Sequence, residues 1–280
     1  MVSFRSFAET IRTTKNWPSA LLLYAGLKKD LNVVFRNGIQ LQIKDKSNWK
    51  LVFWLIKISL NSRILCETIY TYKALIGDSE IVFSTTDERS VYRAYVLSSL
   101  YKQLDAKVSQ EGCCQFVFKG RTINYFFDPE DFDTLGNLNV TFIEDQYCPL
   151  DVKDKIVADI GASYGDTAIY FAMKGAKKVY AYEPIPWVAK VLEKNIILNN
   201  LSEIVRVIPY AVTITDGEAI LNVPKASTDA SLYGHENKDT IQISVKTVTP
   251  PLDAQVLKLN CEGCEYDIIL DWLKRGIMKK

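Results

Sequence analysis

Residues 157–172 read VADIGASYGDTAIYFA. The run sets one carboxylate, Asp159, at the end of an apolar strand, then turns through Gly161 and Gly165 directly into a helix. A strand that turns straight into a helix leaves backbone N–H groups at the helix start, and glycines there let a ligand approach the chain closely. Asp159 can orient the turn or meet a cationic group. The next strand ends YAYEP, placing Glu183 and Pro184 at its carboxyl edge. In doubly wound sheets an acidic residue there accepts both ribose hydroxyls of a bound cofactor. Asp159, Gly161, Gly165 and Glu183 thus form one constellation suited to an adenosine-like ligand. The plain alternative is a strand–turn–helix without a ligand, against which Glu183-Pro184 argues by its place.

Two cofactor classes use this geometry. Nicotinamide dinucleotides want G-x-G-x-x-G, which lays a pyrophosphate on the helix end. This chain reads D-I-G-A-S-Y-G-D, with two glycines and Asp166 at the helix start. Asp166 would repel a pyrophosphate, whereas S-adenosylmethionine has no phosphate, so the residues favour S-adenosylmethionine. Ala162, Ser163 and Tyr164 complete the turn. Tyr164 either covers the methionine part of such a ligand or shields the turn; Tyr182 is expected to pack in the sheet.

The elements that must hold these residues alternate from about residue 154. KIVADI, KVYAYEP, EIVRVIPYAV and VLKLN read as strands; GDTAIYFAMKGA, PWVAKVLEKNIILNN and EYDIILDWLKRG read as helices. AILNVP and TIQISVKTV make an antiparallel excursion. Short apolar strands alternating with helices predict a parallel sheet covered on both faces. Upstream, residues 1–30 read as two short helices, with Pro18 near the start of the second. NVVFRNGIQLQI predicts a hairpin at Asn37-Gly38, where both turn positions would take positive φ. Residues 47–77 look helical and apolar, residues 87–104 form an amphipathic helix, and QFVFKGRTINYFF is a hairpin turning at Lys119-Gly120. Residues 1–139 carry no obvious catalytic constellation, so the chain divides into an α+β N-terminal region, 1–139, and a second domain, 140–280.

Composition bounds the partners. With 34 Lys plus Arg against 33 Asp plus Glu, no basic excess points to nucleic acid, although a local basic patch stays open. The most apolar run, LVFWLIKISL, is too short to span a bilayer and is interrupted by Lys57. The opening residues lack the order of a signal peptide. Six cysteines in 280 residues do not suggest a secreted disulfide framework, so reduced thiols and a cytoplasmic location are expected.

Residues 157–200, VADIGASYGDTAIYFAMKGAKKVYAYEPIPWVAKVLEKNIILNN, resemble the core of the FkbM-type family of S-adenosylmethionine-dependent methyltransferases. The pattern is D-I-G-A-x-x-G-D, then G-A-x-x-V-x-A-x-E-P, then a helix ending N-x-x-L-N. KLNCEGCEYDIIL is similar to that family's second signature, K-I-D-x-E-G-x-E. The resemblance spans about residues 136–270 and implies an α/β, Rossmann-like class I methyltransferase sheet. It implies S-adenosylmethionine as cofactor, held by Asp159, Gly161, Ala162, Gly165 and Glu183. The implied reaction is methyl transfer to oxygen, often a sugar or secondary-metabolite hydroxyl, with Asn260, Glu262, Gly263 and Glu265 facing the methyl group and acceptor.

Asn260 stands where the family has Asp. An amide can orient a hydroxyl but takes no proton at neutral pH, which leaves Glu262 as the carboxylate candidate for the base, or else a helix-start acid stabilised by the dipole. Glu265 reads as a first-turn acid. His235, the only histidine, lies in a polar loop and is a second base candidate. The chain stops at Lys280, so the expected sheet either lacks its last strands or borrows them, with the 115–127 hairpin as a candidate. Cys261 and Cys264 form a C-x-x-C at a strand-to-helix turn, where thiol redox sites occur; without the wider thioredoxin pattern or further metal ligands, they read as small residues filling the turn. A catalytically inactive binding or scaffold protein of the same fold, and a nicotinamide oxidoreductase, remain as alternatives.

Overall fold

The computed structural model describes residues 11–24, 31–43, 49–67, 71–76, 79–109, 112–127, 133–224, 240–249, 253–261 and 264–276. They fall into two compact units, Met1–Ala106 and Lys107–Lys280.

In the first unit, helix α1 (Trp17–Tyr24) precedes the antiparallel pair β1 (Leu31–Val34) and β2 (Gln40–Ile43). The connection is wider than a two-residue turn: Gly38 N–H bonds the Phe35 carbonyl, and Gly38 takes φ +93 while Asn37 is not among the positive-φ residues. Helix α2 (Trp49–Asn61) carries the LVFWLIKISL run but stops well before the residue 77 that its apolarity suggests. The chain instead makes a meander of β3 (Arg63–Cys66), β4 (Thr71–Ile76) and β5 (Ser79–Ser84). The reason is visible in TYKALI, where Tyr72, Ala74 and Ile76 are buried in strict alternation, a period of two that a helix cannot use. Helix α3 (Glu88–Leu104) begins at Asp87, whose carboxylate accepts the Arg89 N–H at 3.1 Å, and buries Val91, Tyr95, Leu97 and Leu100 as its spacing predicts.

The second unit opens with β6 (Lys107–Val108), β7 (Cys113–Phe118) and β8 (Arg121–Phe126). The last two form the expected hairpin, with Lys119 and Gly120 at φ 49 and 75 as a tight primed turn requires. Helix α4 (Asp133–Leu138) runs into a π-helical turn, Asn139–Ile143. A parallel sheet follows, of β9 (Ile156–Ile160), β10 (Lys178–Tyr182), β11 (Val205–Ile208) and β15 (Val256–Leu259), in the order β11-β10-β9-β15. Helices α5 (Asp166–Met173) and α6 (Pro186–Leu198) connect the first three strands, and α7 (Cys264–Lys274) follows β15. EIVRVIPYAV does not form one strand. It breaks at Pro209, which has no N–H to give a ladder, and continues as β12 (Ala211–Val212) in a second sheet with β13 (Gly217–Pro224) and β14 (Thr240–Val248).

Strand alternation assigns the two faces of the parallel sheet. Ala158 and Ile160 pack with Tyr182, Ile268 and Trp272 beneath α7. Asp159 points the other way, where Thr167 of α5 bonds it. This doubly wound order is that of a Rossmann-like α/β fold, and its reversal falls between β9 and β15, where such sheets bind ligands at the strands' carboxyl ends.

The compact unit starts at Lys107, ahead of the 139/140 boundary read from the sequence, because α6 holds the hairpin. Asn195 accepts the Phe126 N–H (2.6 Å) and donates to its carbonyl (2.9 Å); Asn199 does the same for Asn124 (2.9 and 2.7 Å). The two amides, one helical turn apart, cover the free edge of β8 as a neighbouring strand would. Among the described residues the hairpin therefore pairs with β6 and not with the parallel sheet, contrary to its suggested use as a replacement strand.

Candidate functional site

The turn after β9 is built from positions that require small residues. Gly161 has φ +75, and a Cβ there would lie 1.9 Å from the Asn260 carbonyl oxygen; Gly165 has φ +95, and its Cβ would lie 2.4 Å from Leu192 Cδ1. Both glycines are thus demanded by close packing within the protein, of the turn against the end of β15 and against α6. Ser163, between them, also takes a left-handed conformation (φ 48).

Four amides of this turn have acceptors within the protein. Gly161 and Ala162 donate to the Tyr182 carbonyl (3.0 and 2.9 Å), Ser163 to Glu183 Oε2 (3.0 Å), and Gly165 to the Ala162 carbonyl (2.9 Å). A phosphate needs amides pointed outward, and these four are already spent within the protein. Ala162 and Tyr164 are buried, and Tyr164 gives its carbonyl to Asn195 (2.8 Å), which ties the turn to the hairpin through one side chain. Tyr182 packs in the sheet core as expected.

Glu183 is buried and lies against the turn. Its Oε2 accepts from Ser163 and its Oε1 from Ile185 N–H (3.0 Å), the residue after half-buried Pro184. Each oxygen of an ionised carboxylate has two lone-pair directions, so one on each remains for a further donor. Burial pushes the carboxyl up from an ordinary 4.5 to about 7, although both backbone donors and Lys258 pull the other way.

The sequence reading missed Lys258. Parallel register pairs it with Asp159 on the adjacent strand, so the two side chains share a face. Lys258 Nζ lies 3.0 Å from Asp159 Oδ1 and donates to the Gly161 carbonyl at 2.6 Å. Thr167 Oγ1 donates to Asp159 Oδ2 at 2.6 Å. Burial opposes the lysine's charge most strongly, but Asp159, Tyr147 and Asp166 together hold the ammonium above its usual range. Asp166, which opens α5, accepts from Thr141 Oγ1 at 2.5 Å, and burial pushes its carboxyl upward. The available signal was a lone cation in an apolar strand, VLKL, beside another strand with a lone anion, VADI.

Among the described residues, the buried Asp, Glu, Lys and Arg side chains are Asp159, Asp166, Glu183 and Lys258 alone. All four belong to the glycine turn or the strand ends beside it. They comprise three carboxylates and one ammonium.

At the end of β15, Asn260 is exposed and its N–H bonds the Ile160 carbonyl (3.0 Å). Cys261 and Cys264 are joined by a disulfide, which corrects the expectation of small reduced residues filling this turn. Cys113, Cys114 and Cys148 are free thiols. Glu265 acts as a first-turn acid: its Oε1 accepts the Cys261 N–H at 2.7 Å. Glu262, Gly263 and His235 lie outside the described residues. Among the described residues no helix is long and apolar enough to cross a membrane.

A relative, "Uncharacterized protein 158B" of Sulfolobus islandicus rod-shaped virus 1, is 51% identical over 37 residues, which are 13% of this chain and 23% of that protein. Two solved structures are similar over part of their length. The S-adenosylmethionine-dependent methyltransferase of Agrobacterium tumefaciens is 13% identical, covers 54% of this chain and 53% of its own, and has a TM-score of 0.29. Trm5 of Methanocaldococcus jannaschii, in complex with adenosine, is 19% identical, with coverages of 50% and 46% and a TM-score of 0.26. The chain therefore spans a quarter to about half the length of these proteins. The family match is more direct: residues 159–280, from the buried Asp159 of the glycine turn onward, match the family model described as the methyltransferase FkbM domain.

Proposed function

We propose that the turn after β9 and Glu183 bind S-adenosylmethionine, and that the protein transfers a methyl group to an acceptor oxygen of a sugar, glycan or secondary-metabolite hydroxyl. The observation that carries this reading is the convergence of all the described buried charges on one turn, with carboxylates in excess. Buried charge without compensation is costly, and a cationic ligand supplies the compensation. S-adenosylmethionine carries a sulfonium and an ammonium against one carboxylate. A dinucleotide would add negative charge to a turn whose amides at 161, 162, 163 and 165 already have acceptors.

The residues fit that cofactor in detail. Glu183, fixed by Ser163 and Ile185, keeps one acceptor direction on each oxygen for the two ribose hydroxyls. The Lys258–Asp159 pair holds the turn's shape from below, through the Gly161 carbonyl. When bound, the cofactor supplies a methyl group already activated as a sulfonium, so the protein's task is alignment. Asn260, exposed at the end of β15, suits orientation of an acceptor hydroxyl through its amide, while removal of the hydroxyl proton falls to Glu262 or His235. The match to the FkbM methyltransferase domain supports the same assignment.

Titration calorimetry with S-adenosylmethionine and S-adenosylhomocysteine tests the proposal. Binding is expected, and Glu183→Ala should weaken it by about 1–3 kcal/mol, the value of a charged acceptor. A folded sample that binds neither compound refutes the cofactor assignment. A second reading, a ligand-binding scaffold without turnover, draws on Asn260, an amide where the resembling family has an acid. Cofactor binding with no methyl transfer across a panel of sugars and glycans would select it.

A further inference from the structure

The disulfide at the β15–α7 turn takes no part in the function just described. It joins Cys261 to Cys264, with Cα atoms 5.6 Å apart. Cys261 follows Asn260, whose carbonyl occupies the space where Gly161 lacks a side chain. Cys264 is the first residue of α7 and is buried; two turns of the same helix, through Ile268 and Trp272, anchor it in the sheet core. A covalent path therefore runs from the anchored helix, through the sulfur bridge, to the carbonyl that backs the glycine turn. Cys261 is also held to α7 by its N–H bond to Glu265 Oε1 and by packing against the cluster that includes Ile268 and Trp272, and Asn260 is held by its N–H bond to the Ile160 carbonyl.

We propose that the Cys261–Cys264 disulfide is a thiol-responsive latch on the glycine turn, whose reduction removes the covalent tie between α7 and the strand end that backs Gly161 and so loosens residues 161–165. Cys261 is half-buried and Cys264 buried, so the proposed attack by an external dithiol falls on Cys261. The dithiol's thiolate attacks Cys261 Sγ and breaks the S–S bond. Cys264 leaves as a thiolate at a helix start, where the backbone dipole favours it, and then takes a proton. The reductant's second thiol attacks the mixed disulfide and releases Cys261 as a thiol. Two electrons and two protons pass to the protein, and the dithiol becomes a disulfide. Glu265 and Asp267, acids in the first turn of α7, oppose thiolate formation. That chemistry suits a bridge that responds to the redox state of its surroundings and not a rapidly cycling oxidoreductase. The loosening is argued from the covalent path through Cys261; its effect on cofactor affinity rests on the S-adenosylmethionine reading.

The test uses the full chain, with and without dithiothreitol. Alkylation and peptide mass spectrometry should find Cys261 and Cys264 protected in the untreated protein, while exposed Cys148 reacts, and all three labelled after reduction. Hydrogen exchange of peptides covering residues 161–165 should accelerate about tenfold on reduction, as for the loss of one local constraint. A Cys261→Ser/Cys264→Ser chain should show the fast exchange with or without reductant. Rapid labelling of Cys261 and Cys264 without reductant overturns the proposal, as does unchanged exchange on reducing the wild type, which needs no variant to fold. S-adenosylhomocysteine affinity is read in parallel. Accelerated exchange with no binding in either state upholds the latch and rejects the cofactor assignment, so the two failures are distinct.

Discussion

Replacing Glu183 by Gln should flatten the pH dependence of stability. The wild-type carboxyl is buried and titrates near 7 in the folded chain against an ordinary 4.5. Its folded-state value is raised, so folding favours the protonated form: the contribution is fully present below 4.5 and is lost as pH rises through about 7. Integrating the two titrations from pH 5 to pH 8 gives a loss of about 2.5 kcal/mol, a sizeable share of a stability of about 5–15 kcal/mol. Glutamine cannot titrate and keeps one oxygen acceptor for Ser163 or Ile185. It forfeits the other, and this lowers stability by about 1–3 kcal/mol at every pH. The variant should therefore start below the wild type at pH 5 and approach or pass it by pH 8. Urea unfolding of both proteins at pH 5, 6, 7 and 8, followed by tryptophan fluorescence, measures the difference. Parallel stability curves would refute the reasoning, because they would mean that Glu183 is as well solvated folded as unfolded.

Lys258→Met should destabilise the second unit by about 3–5 kcal/mol, since it leaves Asp159 charged, buried and unpaired; a further Asp159→Asn change should recover most of that in a double-mutant cycle by urea unfolding. Gly161→Ala drives a methyl group into the Asn260 backbone carbonyl and should abolish folding of the second unit. Gly38→Ala, with open space around it, should cost only about 1 kcal/mol for its positive φ, and thermal melts compare the two. Asn195→Ala strands the Phe126 N–H, the Phe126 carbonyl and the Tyr164 carbonyl; a loss of about 2–4 kcal/mol is expected, with faster hydrogen exchange in β8.

Much of the second unit is legible in its local pattern. Short apolar strands alternate with helices, and DIGASYG marks a turn where left-handed residues cluster. The hairpin at Lys119-Gly120 was readable for the same local reason, a turn chemistry confined to two adjacent positions. The misreadings arose where a local signal was incomplete. The apolarity of α2 masked the change of period in TYKALI, and one proline in EIVRVIPYAV passed the chain from one sheet to another.

By itself, then, the sequence determined the repeating βα architecture, the position of the glycine turn and the acid that follows it, because burial period and backbone handedness are properties of neighbouring residues. Only the tertiary structure decided what those groups touch. Strand register joined Lys258 to Asp159, helix α6 turned Asn195 and Asn199 onto the edge of β8, and the approach of β15 made Gly161 a packing requirement. Each of these pairs residues from separate elements. Such contacts are set by the order and register of strands, which no local periodicity carries.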